Sequence, residues 1–145
     1  MSIAASDRAA VVRFVRECGA GVVATIGPDG GPQAAYVGLT ASDDGVLVFD
    51  AAEDSRKVAN ISGRPRVALT VTRAELTIQI EGRARITRGE ERRRLGEMYN
   101  EHFPGSRALD AGFAVLAVDV SWVRAYDAES HPPRVTESSW ARPAD

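Results

Sequence analysis

Short apolar segments of strand-like composition, separated by turns and by amphipathic helices, make up most of this chain. Each segment is either a brief run of β-branched residues or a strict alternation of apolar and polar positions, and both patterns are typical of strands. The clearest alternation places Leu76, Ile78 and Ile80 on one face and polar residues on the other. Strands are predicted at residues 21–26, 33–40, 46–49, 67–71, 76–86 and 113–122.

Three helices are predicted around these strands. The first begins near Ser6, a suitable N-cap, and ends at Gly19, a suitable C′ residue. The second is short, begins at residues 54–55, both good N-caps, and runs to Ile61. The third follows an apparent capping box at residues 87–90. Apolar stripes at helical spacing support the first and third helices, formed by Val11, Phe14, Val15 and Cys18, and by Leu95, Met98, Tyr99 and His102.

This order of elements indicates a mainly β domain with peripheral helices, either a small barrel or an open sheet. A chain of 145 residues with 44% hydrophobic content forms one domain with a real core, residues 1–145. The stretch 128–145 is polar and proline-rich, which predicts an extended tail.

Composition narrows the range of functions. A net charge of −2 offers no electrostatic basis for nucleic-acid binding, and no apolar run approaches the roughly 18 residues of a membrane span. No signal peptide is evident, and the one cysteine excludes an internal disulfide. We therefore expect a cytoplasmic protein with neither nucleic-acid nor membrane partners.

The most informative polar feature is Arg56 and Lys57 in the first turn of the short second helix. Cations there oppose the helix dipole, which favours acidic residues at that end. Two basic side chains beside free backbone N–H groups form a good anion site, above all for phosphate. The alternative is a solvated pair on an exposed turn, because the dipole penalty is only about 0.3–1 kcal/mol.

Other catalytic machinery is not evident in the sequence. His102 and His131 are far apart and lie in no metal or nucleophile motif, and His102 suits a helix C-terminus as a cation. No glycine-rich dinucleotide fingerprint is present either. Elimination favours a protein whose chemistry is supplied by a bound cofactor.

The central stretch resembles the pyridoxamine 5'-phosphate oxidase-like family of flavin-binding split β-barrels. It reads Ser55-Arg56-Lys57 at a helix start and, at residues 64–69, R-P-R-V-A-L at the opening of the next strand. The resemblance extends more weakly over residues 22–86. It implies a split β-barrel of about six strands that forms a homodimer and binds flavin mononucleotide (FMN) at sites across the dimer interface.

The resemblance also implies roles for individual residues. Arg56 and Lys57, with Ser55, correspond to the phosphate-binding segment. The remaining cofactor positions are Tyr36, Val37 and Gly38, whose backbone faces the flavin ring, together with Phe49, Asp50, Thr77 and Trp122. Gly38 has an alternative explanation, since a glycine inside a strand also marks an ordinary bulge.

Several positions depart from the family pattern. Ala35 replaces a phosphate-contacting arginine, and Asp50 replaces a hydroxyl residue. The C-terminal segment that serves the B6 substrate is absent, so pyridoxamine phosphate is not the expected substrate. Asp50 is either an exposed carboxylate that ends its strand or a group beside the flavin's ribityl-phosphate that repels phosphate.

Two classes of function stay open at this stage. The first is an FMN-dependent oxidoreductase acting on a small-molecule substrate. The second is a binding protein that holds a flavin, a deazaflavin or haem without turnover.

Overall fold

The fold is built on one curled antiparallel sheet. The computed structural model describes residues 2–140 and contains β1 (Ala20–Ile26), β2 (Pro32–Gly38), β3 (Thr40–Ala41), β4 (Leu47–Ala52), β5 (Arg66–Arg73), β6 (Leu76–Ile86), β7 (Phe113–Asp127) and β8 (Arg134–Ser139). The strand order is β2-β1-β5-β6-β7-β4-β3, and β8 pairs with β7. Only Leu39 separates β2 from β3, so the first and the last strand of this order are consecutive in the chain and belong to one bent segment. The predicted split β-barrel with peripheral helices is confirmed.

The core lies inside the curled sheet, where the alternating side chains of neighbouring strands meet. On β5, Val67, Leu69 and Val71 are buried while Ala68 and Thr70 are exposed. β6 alternates in the same way through Ala84, although its register with β7 shifts between Glu81 and Gly82. A glycine is required at 82, because a Cβ there would lie 2.4 Å from the Asp119 carbonyl oxygen. The period-two pattern in the sequence thus predicted which face is buried.

Three helices lie against this sheet: α1 (Arg8–Cys18), α2 (Arg56–Gly63) and α3 (Gly89–His102). α1 is capped by Asp7, whose carboxylate accepts from the Ala10 N–H, and not by Ser6 as predicted. Gly19 ends α1 with a left-handed φ of 68°. Among residues 2–140, no helix combines the length and the hydrophobicity that crossing a membrane requires.

The capping box predicted before α3 does not form. Arg88 occupies the N-cap position without a side-chain cap. Thr87 is buried, and its hydroxyl donates to the Val115 carbonyl at 2.7 Å, across the sheet. The Thr87 hydroxyl is therefore bonded to a residue of another strand and not to the helix that follows it.

The segment predicted as an extended tail, 128–145, contains a sheet strand. β8 pairs with β7 from Trp122↔Ser139 to Asp127↔Arg134. Trp140 then turns inward, is 3% exposed, and donates its indole N–H to the Ala5 carbonyl at 2.8 Å. Residues 141–145 lie outside the described residues.

Candidate functional site

The start of α2 presents two cations without acidic partners. Ser55 is the N-cap, and its side chain accepts from the Val58 N–H at 3.4 Å while its carbonyl accepts from Ala59. Within residues 2–140, the backbone N–H groups of Arg56 and Lys57 have no partner, and neither side chain forms an ion pair. The helix end therefore retains N–H donors and cations that no ion pair or backbone bond within residues 2–140 satisfies.

An amide network that is buried at Asn60 and exposed at Arg56 connects Arg56 to the barrel. The Gln33 side-chain oxygen accepts from Arg56 Nε at 3.0 Å and from Asn60 Nδ2 at 2.9 Å. Asn60, only 2% exposed, also donates to the Thr25 hydroxyl at 2.9 Å. The network links β1, β2 and α2, so the guanidinium is oriented before any ligand binds. Such preorganisation lowers the entropic cost of binding.

These groups line a cleft of about 280 Å³ between β2 and α2. Its walls include Arg56 and Lys57 on the helix side, and Gln33 and Ala35 on the strand side. Ala35 therefore lies beside the two cations, at the position where the family pattern has an arginine. Its short side chain leaves this part of the cleft open.

The three β2 residues predicted to face a flavin ring have different environments. Tyr36 is 77% exposed, Val37 is buried in the core, and Gly38 is half-buried. The Tyr99 hydroxyl donates to the Gly38 carbonyl at 3.1 Å, and a Cβ on Gly38 would lie 2.8 Å from that hydroxyl oxygen. Close approach by α3, and not a bulge, accounts for the glycine in this structure.

Phe49 and Asp50 point to opposite sides of β4. Phe49 is fully buried in the barrel core, so only its main chain can contact a ligand. Asp50 is half-buried on the face covered by α3, two residues before β4 ends. Burial raises the pKa of Tyr99, and the neighbouring Asp50 carboxylate raises it further. Asp50 is thus neither an exposed strand end nor, within residues 2–140, an ion-pair partner of Arg56 or Lys57.

Thr77 and Trp122 lie elsewhere on the sheet. Thr77 is the second residue of β6, opposite Tyr126, and its hydroxyl is 3.0 Å from that of Thr72. Trp122 is half-buried on β7, opposite Glu81. Neither residue lines the cleft at α2. The structure of this chain brings together Ser55, Arg56 and Lys57 but not these two.

Cys18 and His102 are engaged in structural contacts, whereas His131 is exposed. Burial raises the pKa of the Cys18 thiol, and Cys18 packs against the core. His102 Nδ1 is hydrogen-bonded to the Thr40 hydroxyl. No group of three His, Cys, Asp or Glu side chains in residues 2–140 is arranged to hold a metal ion.

Sequence reasoning missed Gln33, Asn60 and the Tyr99 hydroxyl. Asn60 left a detectable signal, because it is a polar residue beside Val58 and Ile61, which are both buried on α2. A buried amide needs partners, and that requirement predicts a network. Gln33 and Tyr99 left no comparable signal, since their partners are distant in the sequence.

Comparison of the sequence with protein families identifies the chain. The family model for pyridoxamine 5'-phosphate oxidase matches residues 8–127. That span includes the whole sheet except β8, and all three helices. The chain therefore belongs to the pyridoxamine 5'-phosphate oxidase family. No curated protein matches the sequence.

Solved structures share the fold at low sequence identity. A heme binding protein from Mycobacterium smegmatis is 18% identical with a TM-score of 0.76, over 94% of this chain and 60% of its own length. A pyridoxamine 5'-phosphate oxidase-related, FMN binding protein from Nostoc punctiforme is 14% identical with a TM-score of 0.67, over 98% and 100% of the two chains. An F420 reductase is 20% identical with a TM-score of 0.64, over 77% and 93%. The TM-scores establish the shared fold, and the names of these three neighbours refer to haem, FMN and F420.

Proposed function

We propose that this protein is an FMN-dependent oxidoreductase that holds the flavin phosphate between Arg56 and Lys57. The observation that supports the proposal is the combination at the start of α2 of two cations and two backbone N–H groups that have no acidic or hydrogen-bond-accepting backbone partner among residues 2–140. The substrate is a small molecule, and the departures from the family pattern argue against pyridoxamine phosphate.

The residues present fit a phosphate group. Arg56 and Lys57 line the cleft at α2, and Gln33 fixes the guanidinium from the opposite wall. Charge-assisted hydrogen bonds contribute about 1.5–3 kcal/mol each, which exceeds the dipole penalty of placing cations there. The absence of an arginine at 35 is consistent with fewer contacts to the phosphate than the family pattern has.

A bound flavin supplies hydride or electron transfer through its ring system. The chain's own contribution is to bind and orient the cofactor. Arg56 and Lys57 anchor one end of it, and the exposed edge of β2 at Tyr36 offers a surface for the other end.

The proposal includes the assembly of two copies of this chain into a homodimer. Val22 and Tyr36 are opposite each other in the β1–β2 register, and both are exposed large hydrophobic residues, 41% and 77% respectively. Exposed apolar surface of this kind is typical of interaction sites. In such a dimer each flavin site would draw on both chains, as the family resemblance implies. Sedimentation should show a dimer at micromolar concentration, and a monomer would contradict this part.

The phosphate contact is tested with the double variant Arg56→Ala, Lys57→Ala. Its dissociation constant for FMN, measured by flavin fluorescence, should rise tenfold or more, while that for riboflavin stays within twofold. The matched control is Arg13→Ala, Arg94→Ala, which removes two exposed cations elsewhere and should change neither constant. Equal loss of FMN and riboflavin in the first variant would show that the pair does not bind phosphate.

The alternative is a protein that binds a flavin, a deazaflavin or haem without turnover. The three cofactor types in the names of the structural neighbours support keeping it. The visible spectrum of the purified protein distinguishes flavin, deazaflavin and haem in one measurement. A Soret band would favour haem and contradict the flavin proposal.

A further inference from the structure

We infer that this chain has a second ligand site, in which Arg66 and Arg83 bind the phosphate or carboxylate of a small molecule with a flat apolar body. The site is a cleft of about 730 Å³ on the sheet, and it shares only Thr25 with the walls of the cleft at α2. It does not depend on flavin binding.

The two arginines face each other without an acidic partner. Arg66 on β5 is directly opposite Arg83 on β6 in the antiparallel register, and both are exposed. Directly opposed side chains lie on the same face with Cβ atoms about 5 Å apart, and like charges there destabilise a sheet. Neither side chain forms an ion pair within residues 2–140. An anion between the two guanidinium groups would remove this repulsion and accept charge-assisted bonds from both.

The neighbouring surface suits a flat apolar body. The next outward-facing residues along the sheet are Ala24 on β1 and Ala68 on β5, which are opposite each other in register. Both line the cleft, as do Val120 and Trp140. Two alanines side by side leave a shallow floor, so a planar group can lie close to the sheet. The arginines then mark one end of an apolar surface.

Acidic groups in the cleft do not cancel the two cations. Asp119 accepts from Arg85 Nε at 3.0 Å, and Asp44 is bonded to the Ser42 hydroxyl. Glu81 is opposite Ala68 and forms no ion pair within residues 2–140. Arg8 is engaged with Trp140, its guanidinium 4.9 Å from the ring centroid. With Asp119 paired to Arg85, the lining holds three arginines, Arg8, Arg66 and Arg83, against two carboxylates, Asp44 and Glu81, which leaves a net positive charge.

The test uses 2-naphthyl phosphate, 2-naphthoate and 2-naphthol as probes, with binding to the full chain measured by isothermal titration calorimetry. At least one of the two anions should bind at least tenfold more tightly than 2-naphthol. The stronger of the two identifies whether the site prefers phosphate or carboxylate. The double variant Arg66→Ser, Arg83→Ser should lose this preference, and the control Arg13→Ser, Arg94→Ser should keep it.

A charge reversal separates binding from folding. Arg66→Glu replaces the opposed like charges with an opposite-charge pair, so its melting temperature should equal or exceed that of the wild type while the anion preference disappears. FMN binding should stay within twofold in every cleft variant, which distinguishes this site from the one at α2. Equal affinity for 2-naphthol and both anions, or anion binding unchanged in Arg66→Glu, would overturn the inference.

Discussion

Two helices of this protein carry basic runs, and their surroundings give them opposite roles. On α3, Arg93 is bonded to Glu90 and Glu97, and Arg92 donates to the Phe113 carbonyl. On α2, Arg56 and Lys57 have no carboxylate partner within residues 2–140. Arg93, at the centre of the α3 run, is therefore neutralised by its own helix, whereas the α2 pair is available to an external anion. The role of a basic pair depends on its counter-charges and not on its spacing alone.

The same contrast holds for the polar residues around each helix. The Asp50–Tyr99–Gly38 contacts beside α3 tie that helix to β2 and β4. The Thr25–Asn60–Gln33 network beside α2 ends on Arg56, a group with donors still free for a ligand. We therefore expect changes near α3 to affect stability, and changes near α2 to affect both stability and cofactor binding.

The largest effect is expected for Tyr99→Ala. Tyr99 is 4% exposed and packs with Val48 and Leu95, so its truncation leaves a cavity between α3 and the sheet. The free energy of unfolding should fall by about 3–5 kcal/mol in urea denaturation. A loss below about 1 kcal/mol would show that α3 contributes little to the packing.

Asn60→Ala should affect both stability and cofactor binding. It leaves the buried Thr25 hydroxyl without its donor and frees Gln33 from one of its two partners. We expect a loss of about 1–3 kcal/mol in unfolding free energy, with weaker FMN binding because Arg56 is no longer held in place. Fluorescence titration at low salt measures the second effect. Unchanged FMN affinity in a folded variant would show that the Thr25–Asn60–Gln33 network does not contribute to cofactor binding.

Tyr99→Phe should change the alkaline limit of stability. The folded-state pKa of Tyr99 lies above its ordinary value of 10.0, so the folded state holds the phenolic proton more tightly. This stabilisation is fully present below pH 10 and is lost as the pH rises through the folded-state pKa. Wild-type stability should therefore decrease more steeply above about pH 10 than that of Tyr99→Phe.

At neutral pH, Tyr99→Phe should cost only about 1 kcal/mol, the contribution of its hydrogen bond to Gly38. Urea denaturation from pH 7 to pH 11 measures both the loss of stability at neutral pH and the steepness of its decrease at alkaline pH. Parallel curves for the two proteins would contradict the assignment of the raised pKa to Tyr99.

The smallest effect is expected for Asp50→Thr. Removing the carboxylate should lower the pKa of Tyr99, which a phenolate absorbance titration at 295 nm detects. Because Asp50 shares a strand face with Val48 under α3, FMN affinity should stay within twofold. Tighter FMN binding in this variant would instead place Asp50 near the phosphate and weaken the contrast between the two regions.

The sequence by itself determined six of the strands, their buried faces and the basic pair at the start of α2. These features depend on short-range properties: alternation with period two, β-branched runs, and caps and glycines at helix ends. Gly19 and Ser55 act locally, and both were predicted in their observed roles. The likeness of residues 55–57 and 64–69 to the family was likewise readable without coordinates.

Only the tertiary structure decided which polar groups meet. The Thr87 hydroxyl donates to the Val115 carbonyl and does not cap α3. The Gly38 carbonyl accepts from the Tyr99 hydroxyl, and residues 134–139 pair with β7. It also opposed Arg66 to Arg83, since that register depends on how β5 pairs with β6. Each of these contacts joins residues far enough apart in the chain that no local pattern specifies them. Hydrogen-bond partners and counter-charges are properties of the assembled sheet, and they decide which cations are available to a ligand.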